Sequence, residues 1–290
     1  MAKPTPVRGL VAATPMPEAA RALIAARLAD VRRHLRKLGP RLGSDEVHDA
    51  RVATRRLRAA LALFGDQKRV RRADKEVSAL QDALGDVRDV HVQLDAFTAL
   101  DQQADALERT ALRHLRQHLE ARLPGRTEAL RVAIPRWEKE GIQALGRLEP
   151  LEPPGKLGGH RLRESLIGDL EELEARLLEA QRDPSASPMH ELRKRVKRFR
   201  YSLELLAPAM PAEIEEILGA LVPLQDPLGT LHDTDVRLEL VDDHGDASTQ
   251  GTDTLLRRLR TDRDRQAQDV LRALESWEEE AVALRSQVLL

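Results

Sequence analysis

The sequence predicts an all-α protein, and three observations predict it. Leu, Ala, Arg and Glu dominate a chain of 290 residues in which aromatics make up only 2%, and these four are strong helix formers or common helix residues. Apolar residues recur at spacings of three and four nearly throughout, the period of a helix that buries one face. Almost nothing alternates with period two, so no sheet is expected.

The elements follow in order. "MAKPTPVRGLVAATPMP" has one short apolar patch broken by prolines; residues 1–16 read as a disordered lead-in and not as a signal peptide. From Ala20, the series Leu23, Ile24, Leu28, Val31, Leu35 and Leu38 predicts a helix that stops near Gly39-Pro40. A second helix runs from Ser44 to Phe64 and is stopped by Gly65-Asp66. A third covers 68–84 and stops at Gly85; a fourth starts near Asp86. Long helical stretches follow, with a break at Pro124-Gly125. "LEPLEPPGKLGGH" (148–160) is the clearest linker, being rich in proline and glycine. Helices then cover 160–182 and 188–206, separated by "DPSASP". A turn at "APAMP", a helix leading to "LQDPLG", a loop at 242–253 and a last long helix complete the chain.

Composition narrows the function. Formal net charge is −1 and charged residues are 33%, so a basic site can arise only from segregation of charge. The scarcity of aromatics argues against base-stacking platforms. There is no cysteine, which excludes disulfides, thiolate metal sites and thiol nucleophiles. No run of about 18 apolar residues exists, so no membrane span is expected and the cytoplasm is the default location.

The pattern restarts after the linker, and the restart is a repeat. "VHDARVATRRLRAALALF" at 47 aligns with "MHELRKRVKRFRYSLELL" at 189, an offset of 190 − 48 = 142. "LQDALGDVRDVHVQL" at 80 aligns with "LQDPLGTLHDTDVRL" at 224, an offset of 224 − 80 = 144. Two motifs returning in one order at nearly one spacing predict two related helical halves, 17–148 and 157–289, joined by 149–156.

The first motif carries the chemistry. Successive helical residues turn by about 100°. With His48 at zero, Arg51, Arg55 and Arg58 fall near 300°, 340° and 280°, all within an arc of about 80°. The second copy repeats this with His190, Arg193, Lys197 and Arg200. The opposite side is apolar: Ala50, Ala53, Leu57, Leu61 and Phe64 in one copy, Leu192, Val196, Phe199, Leu203 and Leu206 in the other. Like charges at i,i+4 cost about 0.2–0.5 kcal/mol per pair, and solvated helices relieve this with acids on the same face. Neither arc contains a carboxylate. Residues 32–75 hold 14 Lys+Arg against 5 Asp+Glu, a net of +9. Both histidines sit in a first helical turn, expected to be capped by Asp45 or Ser44 in one copy and by Ser187 before Pro188 in the other. Imidazole, guanidinium forks and a helix N-terminus together suit an oxyanion. An arginine run is usually just a solvated face; its return around the same histidine favours the anion site. In "LQDxLGxxxD", Gly85 and Gly229 suit helix C-termini, while Asp89 and Asp233 are placed to cap a helix or orient arginines of the basic one. Arg88 in one copy matches His232 in the other.

H-x-x-R-V-x-x-R-R-L-R followed by L-x-x-x-L-G-x-x-R-D, given twice in an all-helical chain, resembles the CHAD (conserved histidine α-helical domain) family. The resemblance covers 17–289, with Lys197 and Glu191 as departures in the second copy. It implies two four-helix bundles related by pseudo-twofold symmetry around a central basic cleft, and a module that binds inorganic polyphosphate, in some members at polyphosphate granules. It implies no catalytic residue, no metal and no cofactor. Carried over by position, the ligand-facing residues are His48, Arg51, Arg55, Arg58, His190, Arg193, Lys197 and Arg200. Arg56 and Arg198 at the flank, and the matched pair Arg21 and Arg163 on the preceding helices, are secondary. Binding is expected to tighten below about pH 6.5, the reference histidine value.

Three other readings compete. "HD" at His48-Asp49 and His232-Asp233 invites a metal-dependent phosphohydrolase, but what recurs is histidine with arginines, a poor setting for a cation. A nucleic-acid binder could use the same stripe, although aromatics are few and the net charge is not basic. A scaffold whose arginines meet an acidic protein is the third.

Overall fold

A computed structural model of the chain describes residues 3–65, 67–148, 155–208, 211–245 and 250–288. The protein is all-α, as the sequence predicts. Its helices are α1 (Met16–Leu35), α2 (Ser44–Phe64), α3 (Gln67–Asp101), α4 (Ala106–Arg136), α5 (Ile142–Gly146), α6 (His160–Arg182), α7 (Ala186–Leu206), α8 (Pro211–His244) and α9 (Gln250–Val288), with a π-helical turn at Trp137–Gly141 between α4 and α5. The described residues contain no strand, only a lone bridge between Pro15 and Lys156.

Several glycines and prolines read as helix ends lie inside continuous helices, while other boundaries match the sequence reading. α2 and α6 begin and end where expected. α3 runs straight through Gly85 and Asp86, α4 through Pro124-Gly125, and α8 through Pro223, Pro227 and Gly229. A proline in a helix interior costs about 3 kcal/mol or more. Buried leucines flank each one: Leu119 and Leu130 around Pro124, and Leu221, Leu224, Leu228 and Leu231 around the pair in α8. Burying each such side chain contributes about 1.5–3 kcal/mol, enough to carry the helix across. At the π-helical turn, a Cβ on Gly141 would lie 2.0 Å from Cε3 of Trp137; the glycine makes room for the buried indole.

The N-terminal stretch expected to be disordered is instead held at Thr5 by bonds to α1. The Thr5 N–H donates to Asp30 Oδ2 (3.1 Å), and its hydroxyl donates to Asp30 Oδ1 (2.5 Å). Arg27 donates to the Thr5 carbonyl, and Arg33 to its hydroxyl. The end of the expected linker is stitched to the same stretch. Leu157 N–H donates to Thr14 O and Gly158 N–H to Ala12 O, and a side chain on Gly158 would strike Ala12. Polar backbone finds partners here that composition could not reveal. Residues 149–154 of the linker, and 246–249 of the expected 242–253 loop, lie outside the described residues.

The chain forms two compact units, and both draw on both sequence repeats. Unit 1 comprises Met1–Asp89, Pro124–Leu166 and Tyr201–Glu215; unit 2 comprises Val90–Leu123, Ile167–Arg200 and Glu216–Leu290. In unit 1, α1 packs along α2. In unit 2, Val90, Phe97, Leu112, Leu115, Leu119, Val241, Leu255 and Leu259 form one core cluster. There Gln93 accepts from Arg237 Nε (3.2 Å) and donates to the Asp233 carbonyl (3.3 Å). Gln93 and Arg237 are equivalent positions of the repeat (237 − 93 = 144), so a position in one copy bonds its own counterpart.

Candidate anion-binding helices

In unit 1, α2 buries the face the sequence assigns to the core. Val47, Ala50, Ala53, Leu57, Leu61 and Phe64 are inaccessible, and Thr54 joins them with its hydroxyl on the Arg51 carbonyl (2.8 Å). His48, Arg51, Arg55 and Arg58 lie half-buried along the other side. Each is set differently. The Arg51 guanidinium lies over α3 at Gly85, where a Cβ would come within 3.2 Å of its Nε. Its Nη1 is 3.8 Å from Asp89. Gly85 is therefore a mid-helix floor for an arginine and not a helix stop, and Asp89 orients that arginine, one of the two roles its spacing allowed. Arg58 makes a two-point ion pair with Asp74 (2.8 and 3.2 Å). Arg55 has no ion-pair or hydrogen-bond partner among the described residues.

His48 is held below the ordinary imidazole pKa, first by burial and then by the Arg88 guanidinium. Arg88 itself reaches the Ser44 hydroxyl and carbonyl. Ser44 thus serves Arg88, and the N-cap of α2 is Gly43, with no side-chain cap. The Glu46 carboxylate folds back there, so close that a Cβ on Gly43 would overlap its Oε2. An acid at this end complements the helix dipole and replaces the open N-terminus expected from sequence. Arg56, expected at the flank, points inward. It is 5% exposed, bonds Glu204 (2.7 Å) and lies 5.9 Å from the Tyr201 ring centre. Arg21 is exposed on α1.

In unit 2, α7 repeats the row with other partners. His190, Arg193, Lys197 and Arg200 are again half-buried above Leu192, Val196 and Phe199. His190 Nδ1 lies 3.0 Å from His232 Nδ1, the rings 4.6 Å apart, so one ring donates and the other accepts. Burial, then Lys194 and Arg193, lower the His190 pKa. A Cβ on Gly229 would meet nothing within 4 Å, so no side chain is seated there as Arg51 is on Gly85. Arg200 donates to Gln225 of the LQD motif (2.5 Å). Arg198 is exposed and Arg163 half-exposed. The helix begins at Ala186, and the Ser185 carbonyl accepts from Met189 N–H (3.4 Å); the start lies two residues before the expected Ser187 cap position would allow.

Sequence reasoning missed Arg195, which is buried against Asp169 (2.8 Å) and Glu172, because its counterpart in the first copy is Ala53. It noted Arg88 and His232 only as loosely matched; the structure puts each beside the histidine of its own basic helix. No cluster of three or more His, Cys, Asp or Glu able to hold a metal occurs among the described residues. No described helix is long and apolar enough to cross a membrane.

Two solved structures resemble the fold of this chain. The solved CHAD domain of the plant Ricinus communis superposes with a TM-score of 0.76 at 22% identity, covering 95% of this chain and 96% of that one. PptA from Streptomyces chartreusis superposes with a TM-score of 0.67 at 16% identity, covering 92% and 100%. At such identities the likeness concerns the fold. No curated protein sequence matches. The CHAD domain profile matches residues 22–242, a span that contains both copies of both motifs, and the chain belongs to the CHAD domain family.

Proposed function

We propose that the protein binds inorganic polyphosphate through the cation rows of α2 and α7 and acts as a binding module, not a catalyst. The observation that carries this reading is the twice-built row of one imidazole and three cations above a buried apolar face, with no acid in the arc. His48 to Arg58 spans about 15 Å of helix axis, a length matched by a ligand with charge repeated along a chain. Guanidinium forks take two phosphate oxygens at once. Arg55, without a protein partner among the described residues, supplies charge that no internal acid neutralises. Neither row contains a Phe, Tyr or Trp on which a base could stack. The histidines that a phosphohydrolase would commit to a metal are otherwise engaged: His232 bonds His190, and His48 lies beside Arg88. The same ligand would draw the protein to polyphosphate granules in the cell.

Titration with polyphosphates of graded length tests the reading, with DNA of equal charge as competitor. Long-chain polyphosphate is expected to displace DNA, and affinity to fall steeply with salt as counterions are released. Equal affinity for DNA, or orthophosphate release on adding Mg²⁺ or Mn²⁺, would overturn it.

A further inference from the structure

A third cationic cluster lies in unit 2, away from α7. On α4, His114, His118 and Arg122 follow one another at i,i+4 spacing and so share a face. His244, in the last turn of α8, stacks on His118 with ring centres 4.1 Å apart and planes 25° from parallel. Arg122 Nη1 approaches both Nε2 atoms, at 3.4 Å from His118 and 3.5 Å from His244. A guanidinium only donates. Both rings therefore present bare Nε2 lone pairs to it, which is the neutral state of both imidazoles.

This arrangement cannot survive protonation. Once His118 and His244 carry a proton on each nitrogen, three N–H groups face one point and nothing accepts. A local carboxylate would ordinarily fill that place. Burial, and then the neighbouring His244, Arg122 and His114, none of them acidic, hold the His118 pKa down. Asp242 and Asp243 precede His244, and Asp253 opens α9 in the same unit, yet none of them is among those neighbours. The group able to accept from two imidazolium N–H groups and a guanidinium is an oxyanion with several lone pairs.

We propose that His118, His244 and Arg122, with His114 at the edge, form a second anion site, which takes a phosphoryl oxyanion when its imidazoles are protonated. In the neutral state Arg122 occupies the place of the ligand, bonding the two rings. In the protonated state it swings outward, being an exposed side chain, and all three groups turn their N–H bonds on the anion. Proton uptake and anion binding are then linked, each favouring the other. The site does not depend on the reading of α2 and α7.

Imidazole NMR on the full chain, with inorganic pyrophosphate as the probe, decides this. The His118 and His244 ring signals are expected to shift on addition of pyrophosphate at pH 5.5, the apparent pKa of His118 to rise, and affinity at this site to weaken about tenfold or more by pH 7.5. Arg122→Gln is expected to weaken the response at pH 5.5 while leaving pyrophosphate-induced shifts of His48 and His190 unchanged. An unchanged His118 pKa in excess pyrophosphate, or equal response at both pH values, would overturn the proposal. A response to Zn²⁺ at pH 7.5 with none to pyrophosphate at pH 5.5 would also overturn it, in favour of a metal site.

Discussion

α2 and α7 share one pattern and are wired differently. In α2 the position eight residues after the histidine, Arg56, is buried on Glu204; its counterpart Arg198 is exposed. Beside His48 stands Arg88, a permanent cation; beside His190 stands His232, which is cationic only when protonated. Beneath Arg51 lies Gly85, pressed close; Gly229 is open. The first copy has fixed its charges through ion pairs and contacts. The second sets the same row beside other partners, with His232 on His190 and Gln225 on Arg200. Divergence has thus left the surface row intact while the contacts beneath it changed.

The largest expected contrast is in stability. Arg56→Ala removes a buried guanidinium paired with the part-buried Glu204 carboxylate, and breaking such a pair costs up to about 3–5 kcal/mol. Arg198→Ala, at the exposed counterpart, should change stability by no more than about 0.5 kcal/mol. Urea denaturation of the two variants checks this; equal losses would erase the distinction between the two helices.

Next come the charge reversals. Arg55→Glu and Lys197→Glu should each weaken polyphosphate binding about tenfold, about 1.4 kcal/mol, and flatten its salt dependence while helicity stays unchanged. If only one of them does so, a single row binds the ligand. A smaller test uses the glycines. Gly229→Ala should stabilise by about 0.5–1 kcal/mol, the helix-interior preference for alanine. Gly85→Ala should gain less than this or lose stability, because its methyl group pushes on the Arg51 guanidinium.

The finest contrast is in pH. His48 and His190 both titrate below 6.5, so both are neutral at pH 7, and the tightening expected near the reference value moves to lower pH. A polyanion favours the imidazolium forms, so affinity should rise as pH falls through these depressed values and be flat above pH 6.5. Stability runs the other way. The unfolded chain binds these protons first, so the part contributed by neutral imidazoles is complete above 6.5 and is lost as pH falls through the folded values. His232→Arg, which gives the second copy the partner of the first, should shift the His190 titration further down, as followed by NMR.

Much of this was legible in the sequence. The faces of α2 and α7 follow from the helical period alone, because every third or fourth side chain shares a side. The duplicated histidine row needed only the offset of 142. Gly85 misled because a glycine after "LQDAL" looks like a helix end, and its actual duty depends on Arg51, 34 residues earlier. Arg56 misled because angle on a helical wheel does not say what stands opposite; its partner Glu204 is 148 residues away. The cluster around His118 escaped because its fourth member, His244, comes from another helix 126 residues on.

The stretch before α1 has a practical corollary. The family signature starts at residue 22, yet the Thr5 carbonyl accepts from Arg27 and its hydroxyl meets Asp30 and Arg33. A chain trimmed to the recognisable signature would lose these bonds along with the β-bridge to Lys156, and would leave a buried guanidinium one acceptor short. The physical beginning of the domain lies well upstream of the point at which its family resemblance starts.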